Sequence, residues 1–278
     1  MKIDFICERS GASVEEILRE NGVSRRLITK LKRVENGICK NGLAACTIDI
    51  VQSGDTISIF KEDERSLEGA SELFVNSAYE DEYFVVYDKP PFMPVHPSIK
   101  HQGDTLGNFF SAMHPTLTFR PVNRLDRDTS GLCCIAKDAY SAKKLQLSIE
   151  KTYMAVVCGE ITQCGTVDAP IAREQESIIL RCVRSDGQRA VTHYKPIAIK
   201  NGYTLLEINL ETGRTHQIRV HMAHIGFPLA GDDMYGGDCK DIGRQALHCS
   251  KLRIIHPISG EDIIVEAPIP DDISRLLE

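Results

Sequence analysis

No stretch of the 278-residue chain approaches the roughly 20 consecutive apolar residues needed to cross a bilayer. The opening "MKIDFICERSGAS" likewise holds no apolar block of signal-peptide length. The expectation is a soluble, cytoplasmic protein with no membrane partner. Paired C-x-x-C spacings are also missing. Apart from the adjacent Cys133 and Cys134, the nearest pairs are Cys39 with Cys46 and Cys158 with Cys164, which argues against a zinc ribbon. Without a secretory signal, the ten cysteines read as reduced packing residues, most of them buried. There is no internal repeat and no low-complexity tract. The 42% hydrophobic content is ample for a core, so one globular body with a small appendage is expected.

A surplus of positive charge is absent too, and the formal net charge of -6 looks wrong for a nucleic-acid binder. The deficit is local. Residues 61–82, "KEDERSLEGASELFVNSAYEDE", hold eight acids against two bases and account for all of it. Local basic patches therefore decide the question of an RNA partner, not the total.

One such patch lies near the N-terminus. Ser13 precedes Glu16 at capping-box spacing and Asn21-Gly22 supplies a stop, which predicts a helix over 14–20. Ser24 can cap a second helix, "SRRLITKLKR", with Leu27, Ile28 and Leu31 as its apolar stripe. Residues 24–40 carry six bases and one acid. In "GICKNGLAACTIDIVQSGDTISIF" that follows, Asn41-Gly42 signals a type I′ hairpin, so two helices precede a small sheet. Residues 1–60 thus read as a small α/β domain, 61–80 as an acidic linker, and 81–278 as the main body. That body mixes strand-like runs ("YFVVYDKP", "TYMAVVCG", "YTLLEINL") with a helical pattern ("DAYSAKKLQLSIE"). The fold class is α+β around a mixed, mostly antiparallel sheet.

Two stretches carry chemistry. In "RPVNRLDRDTSGL", residues 120–132, Asp126 sits among three arginines that favour its ionised form, which suits a nucleophile or, more plainly, a loop salt bridge. "DTSG" adds a turn whose hydroxyls can bind the backbone, and Gly131 permits positive φ before the apolar run "LCCIA". In "TGRTHQIRVHMAHIGFPLAGDDMYGG", Arg214, His216, Arg219, His221 and His224 fall within eleven positions. Read as a strand, 216–222 puts His216, Ile218 and Val220 on one face and Gln217, Arg219 and His221 on the other, aiming Arg219 into a polar cleft. The three histidines also invite a metal reading, although their spacing fits neither a helical HExxH motif nor a ribbon.

These stretches resemble, in order, the signatures of the RluA/RluD-type pseudouridine synthases. "NRLDRDTSG" is similar to the family's His-Arg-Leu-Asp-x-x-Thr-Ser-Gly, "KTYMAVVCG" to its Lys-x-Tyr strand, and "GRTHQIRVHMAHIGFPLAGDDMYG" to its second signature. "RQALHCSKLRIIHPISG" agrees with the closing block, and residues 1–60 resemble an S-four-like RNA-binding module. The resemblance implies isomerisation of uridine to pseudouridine in structured ribosomal or transfer RNA, by a monomer, with no cofactor and no metal. It makes Asp126 the nucleophile, Tyr153 a stacking and proton-transfer residue, and Arg219 the partner that holds Asp126 charged. Arg124 would fill the space of the extruded nucleotide, with Arg214 and His216 joining the substrate contacts. Arg25, Arg26, Lys30 and Arg33 would bind the RNA backbone. Two departures stand out: Asn123 replaces the motif's histidine, and Pro91 and Phe92 replace a small-residue turn after Lys-Pro. Two rivals remain open: a catalytically silent RNA-binding or assembly protein, and a metal-dependent hydrolase built on His216, His221 and His224.

Overall fold

The computed structural model describes residues 2–60, 67–98, 100–175 and 179–278, so residues 61–66 of the expected acidic linker lie outside the described residues. The chain opens with a strand, Lys2–Ile6 (β1), whose exposed-buried alternation lays one face on a core. Ser13 caps Val14–Glu20 (α1) through the reciprocal bonds with Glu16, and Ser24 caps Arg25–Leu31 (α2) by accepting from the Leu27 amide. α2 buries Leu27, Ile28 and Leu31 and leaves Arg25, Arg26, Lys30 and Arg33 exposed. Ile38–Lys40 (β2) and Leu43–Ala44 (β3) turn at Asn41 and Gly42, whose φ of 50° and 82° are those of a type I′ turn. Thr56–Phe60 (β4) then pairs with both β1 and β2, giving the order β1-β4-β2-β3. The two helices therefore do not precede the sheet as expected, because β1 enters before them.

The larger body contains Asn76–Glu80 (β5), Phe84–Lys89 (β6), Leu106–Met113 (α3), Ser130–Ala136 (β7), Ala139–Ser148 (α4) and Glu150–Cys158 (β8). Gly165–Asp168 (β9), a hairpin of Ile171–Arg173 (β10) and Arg181–Val183 (β11), Val191–Lys200 (β12) and Tyr203–Leu210 (β13) follow. Gln217–His224 (α5), Leu247–Ile255 (β14), Asp262–Glu266 (β15) and Asp271–Ser274 (α6) complete it. The central sheet runs β5-β6-β7-β14-β8-β13-β12-β9, with β15 on β14. Every pairing in it is antiparallel except β7 with β14, which is the mixed, mostly antiparallel sheet expected. Among the described residues no helix is long and apolar enough to cross a membrane.

Three expectations need correction. The main sheet takes in residues 76–80, so its edge starts before the boundary expected at 80; Tyr79 stacks on Phe84 at 5.0 Å and ties β5 down. Residues 217–224 are a helix, not a strand. Side chains three apart share a helical face, so His216 and Arg219, which strand alternation would separate, meet the same carboxylate. Only half of the ten cysteines are buried: Cys7, Cys39, Cys133, Cys134 and Cys249; Cys46, Cys164 and Cys239 are exposed, and all ten are free.

The two bodies touch through α4. Tyr140 joins the apolar core of the N-terminal module, edge-on to Phe5 at 5.5 Å, and the Lys143 ammonium donates to the Gly22 carbonyl at 2.9 Å. At the centre of the main sheet Gly131 has φ +108°, and a Cβ there would lie 2.3 Å from the Cys249 carbonyl oxygen of β14. Gly131→Ala should therefore cost about 3 kcal/mol or more, measured as a lowered urea midpoint. A midpoint within experimental scatter of wild type would show that β7 and β14 are not in this register.

Candidate active site

The Asp126 segment is held almost entirely by partners distant in sequence. Asn123 is buried; its carboxamide donates to the Leu132 carbonyl at 3.1 Å and accepts from the Cys134 amide at 2.8 Å. The residue that departs from the family signature thus clips the loop onto β7. Asp126 opens a turn that closes when the Thr129 amide donates to its carbonyl at 3.2 Å. The next two carbonyls are each taken by a buried cation: Arg127 by the Lys89 ammonium at 3.0 Å, and Asp128 by the Arg244 guanidinium at 3.2 Å. Arg244 is itself clamped by both carboxylate oxygens of Asp272. Contrary to the expectation that they bind the local backbone, the Thr129 and Ser130 hydroxyls meet the Gln245 carboxamide and the ring of His248 on β14.

Facing this loop, α5 starts where it does because the Gln217 carboxamide accepts from Thr212 and the Arg214 amide and donates to the Val191 carbonyl and Thr192. His216, at φ 56°, is the cap that swings the chain into the helix. One turn in, Arg219 is almost wholly buried and forms a two-pronged pair with Asp232, both contacts at 2.7 Å, while its third nitrogen reaches Asp126 at 3.3 Å. The Tyr235 ring underlies the guanidinium, 5.0 Å from its centroid. Burial alone would lower the Arg219 pKa, but the two carboxylates outweigh it and the net shift is upward.

His216 completes the group. Its Nε2 is 3.8 Å from Asp126 and its Nδ1 is 2.8 Å from the Tyr235 hydroxyl. That hydroxyl also accepts the Arg181 amide at 3.0 Å, so it ties His216 to the β10–β11 hairpin. Burial lowers the His216 pKa against the opposing pull of Asp126, consistent with a neutral ring. Tyr153, on β8, is buried, and burial raises its pKa well above the ordinary tyrosine value, so it faces the site as a protonated phenol.

Asp126, Tyr153, Arg124 and Arg214 line one groove of about 910 Å³, large enough for a nucleotide. Arg124 and Arg214 are exposed at its mouth, and Arg214 is steadied by the Arg189 carbonyl at 3.0 Å. The basic side chains of α2 are not among the groove's lining residues. The histidines do not converge: His221 is committed to Thr192 and the Ala169 carbonyl, and His224 is exposed. Among the described residues no three His, Cys, Asp or Glu side chains are placed to hold a metal ion.

Sequence reasoning missed Asp232, Tyr235, Lys89 and Arg244. Asp232 and Tyr235 sit in the quoted "AGDDMYGG", where only an apolar context hints at a buried carboxylate; Lys89 ends an apolar strand at a proline. Two outcomes follow. Asp232→Asn should cost about 3 kcal/mol by leaving a buried guanidinium half-paired. It should also slow single-turnover chemistry roughly a hundredfold by freeing Arg219. Full turnover in this variant would show that Asp232 does not position the site. Burial pushes the Lys89 ammonium down to about 7. Above that pH, up to the ordinary lysine value, the unfolded chain holds the extra proton, so stability rises by up to about 1.4 kcal/mol per pH unit. Lys89→Met should lose this increment, seen as a shrinking stability difference when urea unfolding is repeated at about pH 7 and about pH 9.

Known proteins are similar to this chain along most of its length. The sequence profile described as RNA pseudouridylate synthase matches residues 83–224, which contain Asp126, Tyr153 and Arg219. The uncharacterized RNA pseudouridine synthase YjbO of Bacillus subtilis (strain 168) is 39% identical over 279 residues, covering 96% of this chain and 98% of that protein. The ribosomal large subunit pseudouridine synthase D of Pseudomonas aeruginosa is 40% identical over 253 residues, covering 82% of this chain and 79% of that protein. The solved structure of human RNA pseudouridylate synthase domain containing 1 superposes with a TM-score of 0.60 at 25% identity, covering 73% of this chain and 86% of that one. A match over half of the chain, with relatives aligned along most of its length, makes this protein a member of the RNA pseudouridylate synthase family.

Proposed function

We propose that Asp126 is the nucleophile of a uridine-to-pseudouridine isomerisation in RNA, and that the RNA is ribosomal. The observation that carries this reading is the single guanidinium of Arg219, locked by Asp232 and reaching Asp126 at 3.3 Å. A silent scaffold has no need to hold a carboxylate, charged and oriented, at the wall of a nucleotide-sized groove. Relatives named ribosomal large subunit pseudouridine synthase D favour ribosomal over transfer RNA. The same reading has the protein acting as a monomer in the cytoplasm.

The chemistry needs no net gain or loss of atoms. The bond between uracil N1 and the sugar breaks, the base turns, a new bond forms from C5, and the proton on C5 leaves as one is gained at N1. Asp126 can assist by adding to the anomeric carbon, by adding to C6 of the base, or by promoting elimination to a glycal. Arg219 orients the carboxylate through its third nitrogen. Tyr153, a protonated phenol against the base, stacks on it and donates a hydrogen bond. Arg124 takes the place of the everted nucleotide, offsetting an unstacking cost of a few kcal/mol. Arg25, Arg26 and Lys30 on α2, with Arg33 just after it, grip the phosphate backbone, and Tyr140 fixes them relative to the groove by anchoring the N-terminal module.

Asp126→Asn keeps the shape and removes the charge. It should reduce pseudouridine formation by at least about a thousandfold in unmodified ribosomal RNA, mapped by chemical labelling, with RNA affinity and thermal midpoint near wild type. Undiminished conversion by this variant would end the assignment of Asp126.

A further inference from the structure

Resting on the RNA reading above, we propose that Phe92 is a stacking platform for an unpaired base of the substrate RNA next to the target uridine. Phe92 adopts a left-handed backbone, φ 64°, while its ring is 56% exposed. A bulky residue in that region is a genuine outlier. Of the five non-glycine residues with positive φ, three are asparagines, which tolerate it, and the fourth is His216, whose conformation starts α5 beside Asp126. Only Phe92 has neither excuse. Its ring makes no aromatic or cation-π contact among the described residues, so packing does not repay the strain.

The position of the loop says what does. Pro90, two residues before, shares the Lys89 ammonium with Arg127, at 2.8 and 3.0 Å. Pro94, two residues after, lines the groove that contains Asp126, and so do Val95 and His96. Met93 and Val95 are buried and pin the segment between. The ring is therefore carried on the rim of the substrate groove by a loop stiffened with three prolines, Pro90, Pro91 and Pro94. Exposed Arg124 and Arg127 line the same groove as Pro94, Val95 and His96, and are placed for phosphates. A preorganised aromatic face beside cationic side chains is what a splayed-out base takes up: stacking needs no hydrogen-bond code, and the ordering cost is already met. A glycine would hold this turn without strain. Phenylalanine keeps the strain and adds the face.

Stability and substrate use should therefore move in opposite directions. In Phe92→Gly the thermal midpoint should rise by about 1–3 °C, and KM for unmodified ribosomal RNA should rise about tenfold, the loss falling on KM rather than kcat. Phe92→Leu retains the bulk and the strain and should show the KM loss without the gain in midpoint. The chain has no tryptophan, so Phe92→Trp installs a single indole whose emission should be quenched when short single-stranded oligoadenylate is added. A KM for Phe92→Gly within twofold of wild type, or unquenched indole emission, overturns the proposal. Wild-type protein that forms no pseudouridine would instead defeat the assigned reaction, and the quenching titration would still decide on Phe92.

Discussion

One guanidinium organises this protein. Arg219 gives up solvent almost completely, and so does Asp232, which is a costly arrangement for either alone. Paired through two bonds they become a rigid fork, and the remaining nitrogen of Arg219 points where Asp126 stands. The carboxylate of Asp126 keeps about a quarter of its side chain in solvent, so it meets a fixed cation while staying open to the groove. If the fork were loose, its charge would still be present but without direction.

The other side of the contact is the loop, and it is held by a different kind of bond. Lys89 and Arg244 donate to the main-chain oxygens of residues 127 and 128, so the Asp126 side chain is left to Arg219 and His216. Asn123 fixes the incoming strand and Gly131 lets the outgoing one pass within touching distance of β14. Anchoring the turn by its backbone leaves the Asp126 carboxylate to Arg219 and the groove.

Much of this was legible in the sequence where the cause is local. The Ser13-Glu16 cap, the Ser24 cap and the Asn41-Gly42 turn are decided by neighbours a few residues away, and each stands where the pattern put it. The nucleophile candidate and its arginine were picked out by signature and do meet. What escaped was decided at a distance. α5 is a helix because Gln217 is bonded to β12, a contact no 3.6-residue or two-residue period announces. Asp232 reads as one more acid in a glycine-rich loop until its partner is known, and Lys89 reads as the polar end of a strand. The start of β5 was masked by the acidic composition around it, although Leu73, Phe74 and Val75 stand just before the strand and Tyr79 within it.

The lone parallel pairing, β7 with β14, joins segments more than a hundred residues apart in the chain: Ser130 meets His248 across a separation of 118. Closing so long a loop is entropically slow, and until it closes the turn after Asp126 lacks Arg244, Gln245 and His248. A polypeptide synthesised only through β13 would carry Asp126 and Tyr153 but not Arg219, Arg244, Gln245 or His248, so the turn would lack the partners that hold it in place.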